Sequence, residues 1–571
     1  MLNLRFYNGS GRRDVACDVS LAIAGNGAGQ PSDQLPAGRV DARGILYHEI
    51  PPRFYYAGLL LVILLVSGIR FHLRDMPLER DEGEYAYAGQ LILQGIPPYE
   101  LAYNMKLPGT YAAYAAIMAI FGQTAAGIRL GVLLVNAANI VLVFVLAQKL
   151  AGELAALVAG TTYGVLSILP ATLGFAVHAT HFVVLFALAG ILVLWRALNT
   201  QRDQFLFFCG GLLLGVAFIM KQPGIAFAAF GALYVAHCTW RQARLLLTRE
   251  AVFLAGAALP FVLTCLVMAR AGVLRAFWFW TFTYARVYSS ETTLATGWQA
   301  LRQSVQWVLH PFPLWAIAEL GFVALFWDRR WHPQVFFLTA LTACSALAVS
   351  AGLYFRPHYF ILVLPAASIL AGLAITSARD FLMERGHDRR AGQAALLVFF
   401  AACAFSLWNQ RAFLFELDPA SAGQRIYAAN PFAEAITVAK TVRDSTTEAD
   451  TIAVFGSEPE IYFLSGRHSA TSYIYMYDLT KPQPYQRQMQ QELMRQLEAA
   501  RPRIVIYVDD WASWGWKLGQ EHDEFFTWME HYIREGYEPV QQIQINALPA
   551  HRWGDGAKLY VFARKDSGGH H

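Results

Sequence analysis

Apolar runs recur along this chain at Tyr55–Phe71, Ala125–Ala147, Leu154–Leu169, Phe182–Trp195, Phe205–Ile219, Pro223–Ala236, Ala251–Met268, Pro313–Phe326, Val335–Ala351, Tyr359–Ile375 and Gln393–Leu407. Nothing else restricts the fold so strongly, because runs of this length and number need either lipid or a very large core. The second option fails on composition: the 571 residues are 56% hydrophobic and only 15% charged, too few polar groups to wrap such a core. The runs therefore read as about eleven transmembrane helices, several near the lower length limit for crossing. Pro108 to Phe121 is shorter still and reads as an interfacial or re-entrant helix.

Basic residues set the orientation. With the N-terminus inside, the short inner connections hold Lys149, Arg196 and Arg202, then Arg241, Arg244 and Arg249, then Arg329 and Arg330, then Arg379, Arg385, Arg389 and Arg390. The outer side then receives the loop around Asp81, the His178–His181 loop, Lys221, the Ala271–His310 loop, Leu353–His358 and everything after Trp408. A net charge of +4 gives no footprint for nucleic acid. The six cysteines lie mostly within apolar runs, without the spacing of a zinc site or a disulfide framework.

Three regions follow. Residues 1–53, rich in Gly, Pro and Asp, read as a disordered cytoplasmic tail whose Asn8-Gly9-Ser10 sequon is a chance match. Residues 54–408 form the membrane domain, with an outward loop at 72–124. Residues 409–571 have the composition of a soluble α/β domain outside the membrane. Ile452–Phe455, Arg503–Val508 and Leu559–Ala563 read as strands, and Gln486–Ala499 and Glu521–Arg534 as helices. Gly456-Ser457-Glu458-Pro459 is a lone turn and no phosphate loop, and the terminal Gly-Gly-His-His reads as a tag remnant.

The most informative stretch is Arg80-Asp81-Glu82-Gly83-Glu84-Tyr85-Ala86-Tyr87, continuing to Gln94-Gly95-Ile96-Pro97-Pro98-Tyr99 and Lys106-Leu107-Pro108. Asp81 and Glu84 have capping-box spacing, predicting a helix from Glu82 to Gln94 that stops at Gly95. Too short to cross, it should lie along the surface with Tyr85, Ala88, Leu91 and Ile92 facing lipid or protein. A cap does not explain three carboxylates at the mouth of a span, and ionisable groups at a membrane edge are functional candidates.

These motifs resemble the first outward loop of the GT-C glycosyltransferases, in particular the protein O-mannosyltransferase family and the lipid A aminoarabinose transferases (glycosyltransferase family 39-like). The resemblance implies a GT-C-like polytopic α-helical membrane protein with a C-terminal soluble α/β domain. It also implies a catalytic role for Asp81 and a phosphate contact for Lys106. The turn at Lys221, read from Gly215, resembles the family's glycine-to-lysine turn, and Arg356-Pro357-His358-Tyr359 its late-span motif, in which the tyrosine touches the donor phosphate.

The implied reaction transfers a sugar from a polyprenyl-phosphate donor to a lipid, glycan or protein acceptor, with inversion, at the outer face of a bacterial inner membrane. A departing phosphate needs cations and an acceptor hydroxyl needs a base. Asp81 is the candidate base, with Glu82, Glu84 and His181 as further catalytic candidates. Lys106, Lys221, Arg286, Arg356, His358 and Tyr359 are the donor-phosphate candidates. The family often has an acid where this chain has Val177-His178-Ala179-Thr180-His181, and His181 is the expected occupant of that position. His178 and His181 could ligate a divalent cation with Asp81 or Glu82, a weak pattern without a defined third ligand. No cofactor is otherwise indicated. Two other functions stand beside this one: a lipid-linked sugar flippase or transporter, which should carry charges at mid-membrane, and an envelope-assembly protein with a binding module at its end.

Overall fold

The apolar runs become helices in a computed structural model. It describes residues 51–200, 204–309, 312–386, 389–427, 430–515, 524–545 and 557–565, together with two short strands, Arg39–Val40 and Leu46–Tyr47, that pair antiparallel. The rest of the N-terminal tail, its sequon and the terminal Gly-Gly-His-His lie outside the described residues.

The membrane half begins with α1 (Pro52–His72), α2 (Arg80–Leu93), α3 (Gly109–Phe121), α4 (Ala125–Leu166), α5 (Ala179–Asn199), α6 (Gln204–Met220), α7 (Ile225–Thr239) and α8 (Ala243–Arg270). It continues through Pro313–Trp327, Val335–Val349, Leu364–Gly386 and Arg389–Asn409. Among the described residues, seven helices are long and apolar enough to cross a membrane, or eight if the bent pair Leu294–Leu309 and Pro313–Trp327 is one span, fewer than the expected eleven spans. One reason is that α4 holds two runs in 42 residues, broken at Gly152 with φ +86°. At that φ a side chain would be strained, and the chain reverses there. Gly160 then packs back beside Ile140 and Phe144 of the first half. The other reason is that α6, α7 and Pro313–Trp327 have only 17, 15 and 15 residues.

Short helices gain by packing closely. A Cβ on Gly211 of α6 would lie 2.1 Å from the Phe253 carbonyl oxygen of α8, so these backbones approach in the manner of small-residue membrane contacts. Asn136 and Asn139, polar residues inside a span, have structural partners: the side-chain amides donate to Ser167 Oγ at 3.0 Å and to the His181 carbonyl at 3.1 Å, while Asn139 Oδ1 is buried without a hydrogen bond. Being amides, they are not the mid-membrane charges that a transporter would require.

Beyond the spans, a five-stranded mixed sheet contains β1 (Thr451–Phe455), β2 (His468–Ser469), β3 (Ile504–Asp509), β4 (Tyr537–Gln544) and β5 (Lys558–Arg564) in the order β2-β1-β3-β5-β4. β1 is parallel to β2 and β3, while β5 is antiparallel to β3 and β4. The buried β1 and β3 match the apolar runs; edge strand β4, with Gln541, Gln542 and Gln544, carries no such signal. Among the cysteines, Cys209, Cys265, Cys344 and Cys403 are free thiols, whereas Cys238 is disulfide-bonded. That corrects the expectation of six small hydrophobes without a disulfide: Cys238, in the last turn of α7, is bonded.

The α2 helix differs from expectation in two respects. Its N-cap is Glu79, whose side chain accepts from the Glu82 N–H while Glu82 accepts from the Glu79 N–H, each at 3.1 Å. The box is shifted two residues from the predicted Asp81–Glu84 pair, because Glu79 can close it and Asp81 then falls inside the first turn. Nor does α2 rest on the surface. Glu82 to Leu91 are buried, because the C-terminal sheet domain covers the face turned away from the spans.

Candidate active site

The shifted cap divides the acids of α2 into two groups. Glu82 is buried, accepting from Arg129 at 2.7 Å and from the Val177 N–H at 2.8 Å. With those bonds and the box contact it belongs to the wall of the site. Asp81 and Glu84 converge on Lys106, whose Nζ donates to Asp81 Oδ1 at 2.7 Å and Glu84 Oε2 at 2.5 Å. The Tyr111 hydroxyl of α3 donates to Glu84 Oε1 at 2.6 Å, and Tyr99 holds the Lys106 backbone by donating to its carbonyl at 2.7 Å. The Tyr85 ring lies under the ammonium at 4.6 Å, a cation–π contact.

Burial would raise the Asp81 carboxyl, but the Lys106 ammonium outweighs it and holds the group below the usual carboxylate range. Its place in the first turn of α2, where the helix dipole favours an anion, acts in the same direction. Burial dominates at Glu84 and raises it, although Lys106 opposes the shift.

A second cluster faces this one. Thr110 of α3 donates to the Met220 carbonyl at 2.7 Å, and Gln222 to the Met105 carbonyl at 2.6 Å, tying the turn after α6 to the loop of Lys106. Lys221 therefore comes to the same side. Its Nζ lies 3.5 Å from His358 Nε2 and 4.3 Å from the Tyr359 ring centroid. Burial lowers this ammonium to about 7, with Asp81 opposing the shift and Lys106 and Arg356 adding to it. Arg356 donates to the Tyr288 hydroxyl at 3.2 Å. The arrangement is a half-buried acid beside three cations carried on separate loops.

Residues 106–269 match the family model described as dolichyl-phosphate-mannose-protein mannosyltransferase. The crystal structure of ArnT from Cupriavidus metallidurans bound to undecaprenyl phosphate is similar over 89% of this chain and 98% of its own, at 14% identity and TM-score 0.57. Its apo state matches over the same shares at 14% identity and TM-score 0.53. The Archaeoglobus fulgidus oligosaccharyltransferase tethered to an acceptor peptide matches over 90% of this chain and 74% of its own, at 11% identity and TM-score 0.50. The chain has the GT-C fold. A comparison with curated proteins returns no match.

Two expected residues stand apart from the cluster. Arg286 is exposed and its side chain makes no hydrogen bond among the described residues; Tyr288, two positions on, reaches Arg356 in its place. His181 turns its Nε2 to the Gly174 carbonyl at 2.8 Å, so it braces the loop before α5. The histidine at the site is His178, stacked on His358 with ring centroids 4.0 Å apart. Both ring nitrogens of His178 are buried without a hydrogen-bond partner. Asp81, His178 and His358 bring ligand atoms within 4.8 Å of one another, so the metal-capable set pairs His178 with His358 and not with His181. Two imidazoles and a carboxylate suit a divalent transition metal such as zinc.

Sequence reasoning missed Glu79, Tyr111 and Tyr475, and weighed His178 only as a metal partner. Tyr475 carried a signal: Tyr473-Ile474-Tyr475-Met476-Tyr477 alternates tyrosines in a stretch with no strand to bury them.

Proposed function

We propose that this protein is a membrane glycosyltransferase that moves a sugar from a polyprenyl-phosphate carrier to an acceptor, with inversion and with Asp81 as general base. The observation that carries the reading is the convergence of Asp81 and Lys106 with Lys221, Arg356 and Tyr359, a carboxylate beside several phosphate-binding groups. The lipid phosphate bound by the similar ArnT structure supplies the carrier class.

In the proposed reaction the acceptor O–H gives its proton to Asp81 as its oxygen bonds to the sugar anomeric carbon. The bond from that carbon to phosphate breaks, and the carrier phosphate leaves with the electron pair, neutralised by Lys106, Lys221 and Arg356. Asp81 is a weak base while Lys106 sits on it. Donor phosphate drawing Lys106 away would raise the basicity of Asp81 at the moment the base is needed.

The test is a panel of polyprenyl-phosphate sugars offered to the purified protein, with released carrier and glycosylated product measured by mass spectrometry. One sugar should be turned over and the rest ignored; a protein that binds none of them and releases carrier from none is not such a transferase.

The proposed site faces outward, at the outer leaflet of the bacterial inner membrane, with the N-terminus cytoplasmic. A cysteine at exposed Ala449 of the C-terminal domain is expected to react with a membrane-impermeant thiol reagent in intact spheroplasts, while one at exposed Ala243 should not, each relative to the parent protein. Labelling at Ala243 alone would reverse the topology.

A further inference from the structure

We propose that Tyr475, carried by the C-terminal sheet domain, is a positioning residue for the Glu84–Lys106 pair, so that this domain completes the site built by the spans. The inference rests on the reading of Lys106 as a phosphate-binding residue.

Its hydroxyl lies 3.1 Å from Glu84 Oε2 and 3.1 Å from the Arg80 carbonyl oxygen. A phenol has one hydrogen to give, and the carboxylate is the stronger acceptor. Glu84 Oε2 is also the oxygen that holds Lys106, while Oε1 is held by Tyr111 from the membrane side. The carboxylate is thus gripped from both halves of the protein, and its orientation sets where the ammonium sits. The Tyr475 ring itself lies 5.9 Å from Lys106 Nζ.

Tyr475 is in turn fixed by its own domain. The next N–H, from Met476, donates to Ser457 Oγ at 3.0 Å. Arg80 beside Asp81 donates to Glu458 Oε1 at 2.8 Å and through Nε to the Ser457 carbonyl, and Ser513 braces Glu458 at 2.6 Å. Gly83, between the acids, lets the domain come this near: a Cβ there would lie 2.6 Å from the Glu460 Cβ. A covering domain needs only surface complementarity. This one delivers a hydroxyl to the charged pair and clamps the residue next to the base.

The test compares Tyr475→Phe with Tyr87→Phe in the full chain. Tyr87 also bridges to the domain, accepting from the Ser469 N–H at 2.8 Å, and is not one of the groups on Glu84 or Lys106. Affinity for undecaprenyl phosphate should fall about tenfold in Tyr475→Phe and less than twofold in Tyr87→Phe. Tyr475→Phe should add nothing further in a Lys106→Ala background, the signature of one coupled unit. Equal losses in the two tyrosine variants, or full affinity in Tyr475→Phe, overturn the proposal.

The rate at which an amine reagent modifies Lys106, read by peptide mass spectrometry, separates this from the functional reading. It should rise several-fold in Tyr475→Phe even if wild-type protein binds no lipid phosphate, and an unchanged rate in that case also overturns the proposal. Absence of lipid-phosphate binding by wild type removes the functional reading alone.

Discussion

Asp81→Asn is expected to abolish transfer while the protein still folds and still binds donor. Loss of a general base typically costs about a hundred- to ten-thousand-fold in rate, and asparagine cannot take the acceptor proton. The fold should tolerate the change because Glu79, and not Asp81, closes the cap of α2. Lys106 also keeps Glu84 as a partner at 2.5 Å, so no ammonium is stranded. Single-turnover rates with saturating donor, beside thermal melts of the same preparations, make the distinction. Near-normal turnover in Asp81→Asn would remove Asp81 as the base. Glu84→Gln is a poor control for chemistry, since Glu84 is buried and holds Lys106 and two tyrosines; it should lose donor affinity and stability together.

Lys106→Ala should weaken donor use by about ten- to a hundredfold and acceptor use much less, the value of a charge-assisted phosphate contact. The variant has a second effect. It leaves Asp81 and Glu84 facing each other without their cation, and stranding a buried charge typically costs about 3–5 kcal/mol. A fall in activity could then reflect a damaged fold, which Lys106→Ala with Glu84→Gln resolves by removing one of the stranded acids. The double variant should recover thermal stability and keep the donor defect. Recovery of donor affinity along with stability would make Lys106 a structural counter-ion.

What could be read in the sequence follows from how local each signal is. The helices of the membrane half and the strands β1 and β3 are recorded in runs of adjacent apolar residues, and they stand close to where the pattern put them. Lys106, Lys221 and Tyr359 lie in short motifs at helix ends, where local sequence can single them out as candidates. The cap of α2 was misplaced because two acid pairs three residues apart, Glu79/Glu82 and Asp81/Glu84, overlap, and spacing cannot choose between them. Arg129 and the Val177 N–H, which occupy Glu82, are brought there by packing. His178 and His181 are likewise indistinguishable by spacing; the loop before α5 turns one ring to a carbonyl and the other to the site. Tyr475 and Glu458 act across a distance in sequence that no periodicity reports.

That distance has a consequence for how the protein is made. Arg80 meets Glu458 across 378 residues and Tyr475 across 395. At the usual pace of synthesis, α2 exists for roughly 20–80 s before its cover is translated. Through that interval Arg80 lacks Glu458 and the Ser457 carbonyl, and the grip of Tyr475 on Glu84 is missing. A nascent or truncated chain can therefore insert its spans without assembling the lipid-phosphate site proposed here. The part that holds Arg80 and Glu84 in place is synthesised long after the loop it acts on.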